Sequence, residues 1–78
     1  MSNTKSQYTL KLFRKNDNSD YNWEFVGPYK NKKQAKELGS DFVRDTKEYD
    51  RVEIFNSNKE LIFQAWTNKN KFYKTDFN

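Results

Sequence analysis

Rings and aliphatic side chains recur at every second position in four short segments of this chain, and at every third or fourth position in one stretch between the second and third of them. A period of two belongs to a strand with one buried face, and a period near 3.6 to a helix with one apolar stripe. With 78 residues there is material for one core only, and a chain of this size buries only about 60% of the surface it exposes when unfolded. The expected fold is a small α+β domain, ββαββ, in which antiparallel hairpins form one sheet and one helix packs on one of its faces.

The first strand is read over Tyr8 to Phe13, with Tyr8, Leu10 and Leu12 on the core side, and the second over Tyr21 to Val26, with Tyr21, Trp23 and Phe25 on the core side. Between them Asn16-Asp17-Asn18-Ser19-Asp20 is a run of turn formers whose short side chains bond their own backbone. Gly27-Pro28 is expected to end the second strand. Asn31, with Gln34 three residues on, makes a capping-box start for a helix over Lys32 to Thr46, whose stripe is Ala35, Leu38, Phe42 and Val43. Gly39 lies on the same stripe and lets the sheet come close, under Trp23 in this reading. The third strand runs from Tyr49 to Phe55 with Val52 and Ile54 inward. Asn56-Ser57-Asn58 turns the chain, and the fourth strand runs from Leu61 to Thr67 with Leu61, Phe63 and Ala65 inward. Residues 1–6 are read as an arm, 7–67 as the domain, and 68–78 as a basic aromatic tail that forms an edge strand, a cover or a disordered end.

Hydrophobic and charged residues each make up 33% of the chain, close to the balance of disordered proteins, but aromatics reach 18%, which disordered chains lack. The core is therefore expected to be built largely of rings. There is no Cys and no His, which removes disulfides, thiolate nucleophiles and the commonest base and metal ligand near neutral pH. Asp50 and Glu53 face opposite sides of their strand, and only two glycines are present, too few for a phosphate-cradling loop. The loop from Asn16 has Tyr21 and Gly27 where a calcium loop needs Gly and a bidentate Glu. A non-enzymatic protein without cofactor or metal is expected. No apolar run is long enough to span a membrane and the first residues show no signal-peptide pattern, so a cytoplasmic location is expected.

Two surfaces are candidates for binding. The face of the sheet away from the helix is expected to carry Lys11, Phe13, Arg51, Phe55, Ile62 and Trp66, more apolar area than a monomer leaves bare without a use. It could be covered by the tail through Phe72, Tyr73 and Phe77, by a protein partner, by stacked nucleic-acid bases or by a second copy in a homodimer. The helix is the second surface. Lys30, Lys32, Lys33 and Lys36 gather at its start, an anion-binding arrangement, and Glu37, Asp41, Asp45 and Glu48 lie toward its end, so both groups oppose the helix dipole. The net charge of +4 makes nucleic acid, held by the rings with Lys69, Lys71 and Lys74 on phosphates, the alternative to a protein partner. The RNA-recognition motif and its βαββαβ order are absent. Short length, a Lys- and Asn-rich composition and the lack of Cys and His are compatible with accessory proteins of phages and mobile elements. The overall expectation is a small inhibitor or adaptor that docks on a protein.

Overall fold

The computed structural model describes residues 7–14, 23–46 and 48–77. The arm 1–6, the turn Asn16–Asp20 and the expected strand start at Tyr21 lie outside them. Five strands and one helix follow in the order β1 (Tyr8–Arg14), β2 (Trp23–Tyr29), α1 (Lys32–Asp45), β3 (Tyr49–Phe55), β4 (Leu61–Asn68) and β5 (Lys71–Asp76). They make one antiparallel sheet ordered β2-β1-β3-β4-β5 with α1 on one face, a small α+β domain. The tail takes the edge-strand form and extends the sheet in its own plane.

The helix begins where the capping pattern places it. The Asn31 side chain accepts from the Gln34 N–H at 3.0 Å and the Asn31 carbonyl from the Ala35 N–H at 2.9 Å, which satisfies donors that a helix start leaves orphaned. It ends one residue earlier than expected, with Thr46 as its cap, the hydroxyl donating to the Phe42 carbonyl at 2.6 Å. Asn56 organises the β3–β4 turn. Its side-chain oxygen accepts from the N–H groups of Asn58 and Glu60, both at 2.9 Å, and Lys59 takes a positive φ of 66°. The β4–β5 turn is tighter, with Lys69 and Asn70 at φ 52° and 71°, the left-handed pair of a two-residue hairpin.

Leu10 and Leu12 of β1, Val52 and Ile54 of β3, and Phe63 and Ala65 of β4 are sealed under Ala35 and Val43 of α1. Each of the larger ones gains about 1.5–3 kcal/mol from leaving water. Leu38 and Phe42 pack at the margin of this cluster, half-buried, while Gly39 and Ser40 are buried with Ala35 and Val43. A Cβ on Gly39 would stand 3.3 Å from Val52 Cγ2 and 3.4 Å from Ile54 Cδ1. The close approach expected at this glycine is therefore real, but it is made to β3 and not to Trp23.

Several expectations are corrected. The core is mainly aliphatic, and its only rings are Tyr49 and Phe63 among the described residues. Trp23 and Phe25, expected beneath the helix, are 40% and 57% exposed. The register decides this, because Leu10 pairs with Val26, Lys11 with Phe25 and Leu12 with Glu24, and cross-strand partners share a face. The helix packs chiefly on β3 and β4 and little on β2, so Val26 suffices at the core margin and the larger rings turn outward. Gly27-Pro28 does not end β2, which runs on to Tyr29. On an edge strand the missing proline donor is tolerated, and Gly27 takes φ 120° where a Cβ would sit 3.1 Å from the Tyr8 carbonyl oxygen. Finally, Ile62 is buried and belongs to the core while Leu61 is only half-buried. The β3–β4 ladder shifts between Ile54 and Phe55, setting Phe55 opposite Leu61, and such a bulge interrupts the alternation of faces.

Candidate docking surface

The strand registers bring one residue from each strand into a single row across the outer face. Trp23 pairs with Phe13, Phe13 with Arg51, Arg51 with Trp66, and Trp66 with Tyr73. At about 4.8 Å between strands the row is roughly 19 Å long, four rings with a guanidinium at the centre. A second row beside it reads Phe25, Lys11, Glu53, Gln64 and Thr75. Beyond that, Thr9 pairs with Phe55.

The rings hold one another in place. Trp23 meets Phe25 edge-on with centroids 5.1 Å apart, and Trp66 stacks on Tyr73 at 5.5 Å with 21° between planes. Two cations of this face, Lys11 and Arg51, are engaged locally. Lys11 Nζ lies 4.5 Å from the Trp23 ring centre and 5.2 Å from that of Phe13. Arg51 sits 4.9 Å over Phe13, donates to Glu53 Oε2 at 2.8 Å and, with the Gln64 amide oxygen turned toward it, donates to Gln64 from Nε and Nη2 at 3.2 Å. Between Phe25 and Phe55, over Thr9, a slot of about 340 Å³ opens, bordered by Lys11, Asn56 and Lys59.

Of the expected face residues, Lys11, Phe13, Arg51, Phe55 and Trp66 do share this surface, and Ile62, being buried, adds nothing to it. Sequence reasoning missed Trp23, Phe25 and Tyr73. Tyr73 could have been found from the alternation of Phe72, Tyr73 and Lys74 had the tail been read as a strand. The two rings of β2 carry no local signal of their orientation, which depends on pairing with β1.

The helix charges are distributed differently from the expected split. Lys32, Lys33 and Lys36 border a groove of about 550 Å³ between α1 and β5, with Lys30 on the bend before the helix. Lys36 is a tether across it, its Nζ 2.5 Å from Asp76 and 5.2 Å over the Phe63 ring. In the acidic half Arg44 holds Asp41 at 2.5 Å and Asp45 at 3.4 Å, which leaves Glu37 and Glu48 as the acidic residues of that set without an ion pair among the described residues. The lysines expected around the rings do not frame them: Lys74 pairs with Ala65 and faces the helix side, and Lys69 and Lys71 stand at the end of the β4–β5 hairpin.

At the far side of the core Tyr49, buried, donates its hydroxyl hydrogen to Glu24 Oε2, and Arg14 reaches the same carboxylate oxygen at 3.5 Å. The hydrogen bond to Glu24, then burial, then the Glu24 charge raise the Tyr49 pKa above the ordinary tyrosine value. The group serves the fold and stays neutral. Among the described residues no helix is long and apolar enough to cross a membrane. No family model, curated protein or solved structure matches the chain.

Proposed function

We propose that the protein is a small non-enzymatic binding module, an inhibitor or adaptor, that docks on a protein partner through the outer face of its sheet. The observation that carries this reading is the destination of the rings. A core of Leu, Ile, Val and Ala takes only two of them, and Phe13, Trp23, Phe25, Phe55, Trp66 and Tyr73 lie on a face that no element covers among the described residues. Arg51 and Trp66 in the middle of a row of rings, with polar groups already paired beside them, are the composition of an interface centre. A protein partner is favoured over nucleic acid because Lys11 and Arg51, the cations among the rings, are engaged with Glu53, Gln64 and the rings themselves, and because Lys74 faces the helix while Lys69 and Lys71 stand at the hairpin end. Phosphate contacts need free cations beside the stacking rings.

The test is affinity capture from native-cell lysate with the full chain and with a Trp23→Ala/Trp66→Ala variant, each with and without nuclease. The expected result is a defined set of proteins retained after nuclease and at moderate salt, and lost with the variant. Loss of all retained material on nuclease treatment would transfer the face to nucleic acid. Equal capture by the folded variant would remove the face from the function.

A further inference from the structure

The two edges of the sheet are built differently. β2 carries Pro28, which has no N–H, and its ladder to β1 is interrupted between Tyr8 and Leu10; both features blunt an edge against further pairing. β5 has neither. Its ladder with β4 runs unbroken from the Phe63–Asp76 pair to the Asn68–Lys71 pair, whereas each of the other three ladders contains a shift. The Phe77 N–H donates to the Ile62 carbonyl at 2.9 Å, continuing that ladder by one residue. This bond sets the phase. Lys71, Tyr73, Thr75 and Phe77 turn their backbone groups toward β4, and Phe72, Lys74 and Asp76 turn theirs outward, with no partner among the described residues.

We infer that this edge receives a second copy of the chain, β5 pairing antiparallel with β5 about a two-fold axis at Thr75. Pairing has to set outward residues against outward residues, which axes at Tyr73, Lys74 or Thr75 all allow. An axis at Lys74 brings the two lysines face to face, and one at Tyr73 sets each Lys74 against Phe72. The axis at Thr75 sets Lys74 of each copy against Asp76 of the other on the helix side. On the outer side it sets Thr75 against Thr75 and Tyr73 against Phe77. Opposite charges, paired threonines and paired rings are the cross-strand combinations that stabilise a sheet, and directly opposed like charges destabilise it.

The side chains at the edge suit this arrangement. Tyr73 and Phe77 are 40% and 43% exposed, two of the four large apolar side chains left open among the described residues, and the pairing brings them together. Asp76 already holds Lys36 of its own helix at 2.5 Å, and Lys74 of the second copy approaches from the other side, leaving the carboxylate between two ammonium groups. A two-fold axis normal to the sheet keeps the faces aligned. The row of rings that ends at Tyr73 in one copy then continues into the other, and a ten-stranded sheet results, twice the five strands of one chain. This inference does not depend on which partner the outer face binds.

Sedimentation equilibrium of the full chain in low salt, from micromolar to near-millimolar concentration, tests it. The mass should rise with concentration from 9.5 kDa toward twice that value. Lys74→Pro removes an outward N–H and the ammonium, neither of which the β4–β5 ladder uses, so that ladder is kept and the variant should remain monomeric throughout. Lys74→Glu sets Glu against Asp76 and should weaken association by about tenfold or more. Reversing the whole set, with Lys36→Glu, Lys74→Glu and Asp76→Lys together, should restore it. Far-UV circular dichroism establishes that each variant is folded, and if Lys74→Pro fails to fold, the charge variants carry the test alone. A monomer mass at every concentration would overturn the inference. So would a dimer that survives Lys74→Pro, a dimer that Lys74→Glu leaves as tight as the parent, or a full reversal that stays monomeric.

Discussion

Tyr49 and Gly39 show how single positions hold this domain together. The Tyr49 ring meets Phe42 edge-on at 5.8 Å, and its hydroxyl is bound to Glu24, so one residue ties the helix end to β2, an edge strand on which the helix itself packs little. Because the folded state raises its pKa, the contribution is complete below the unfolded tyrosine value of about 10. It is lost as pH rises from there through the folded value, since the unfolded phenol ionises first. Tyr49→Phe is therefore expected to cost about 1 kcal/mol at neutral pH. The gap to the parent should narrow by about pH 11; urea unfolding at both pH values measures it, with the remaining tyrosines common to both proteins. Gly39→Ala has a helix-propensity gain of about 0.5–1 kcal/mol, but its methyl meets Val52 and Ile54 at 3.3–3.4 Å. Both are β-branched and fully buried, so neither rotates aside easily. The substitution is expected to lower stability by about 1 kcal/mol net, and an unchanged or higher Tm would show that the helix can ride outward.

At the scale of elements, the β4–β5 hairpin carries a cost that can be removed. Lys69 and Asn70 both adopt positive φ, where Asn-Gly is the favoured pair. Lys69→Asn with Asn70→Gly is expected to stabilise the domain by about 0.5–1 kcal/mol, which a domain of this size shows as roughly 2–8 °C in Tm. Ending the chain after Asn68 should do the opposite. It removes β5, the stack of Tyr73 on Trp66 and the Lys36–Asp76 tether, so Tm should fall and tryptophan emission should shift to the red. An unchanged melting curve would mean that β5 is not part of the folded unit. In the helix, Lys32→Gln with Lys33→Gln should leave stability unchanged or slightly higher, since both charges oppose the dipole and neither forms an ion pair among the described residues. Lys36 differs because it bridges to β5.

For the whole molecule, core and docking face should separate in mutagenesis. Phe63→Ala, at a site 1% exposed, is expected to cost about 3–5 kcal/mol and to come close to unfolding the domain. Trp23→Ala, at the rim of the outer face, should cost less than about 1 kcal/mol while weakening partner binding. The sequence by itself was enough for the element order, the start of the helix at Asn31, the β3 span and the inward set of Leu10, Leu12, Val52, Ile54, Phe63 and Ala65. All of these follow from short-range periodicity and capping chemistry, which act within one turn or one strand. It was not enough for the orientation of Trp23 and Phe25, the exchange of Ile62 for Leu61 in the core, or the choice of edge strand for the tail. Alternation assigns residues to two faces but does not say which face is buried, and a bulge reverses the assignment partway along a strand. Those choices belong to the pairing of β2 with β1, to the shift between Ile54 and Phe55, and to the placing of α1 over β3 and β4, which leaves β2 at the margin of its cover. Only tertiary packing sets these, because each is a competition between distant surfaces for one small helix.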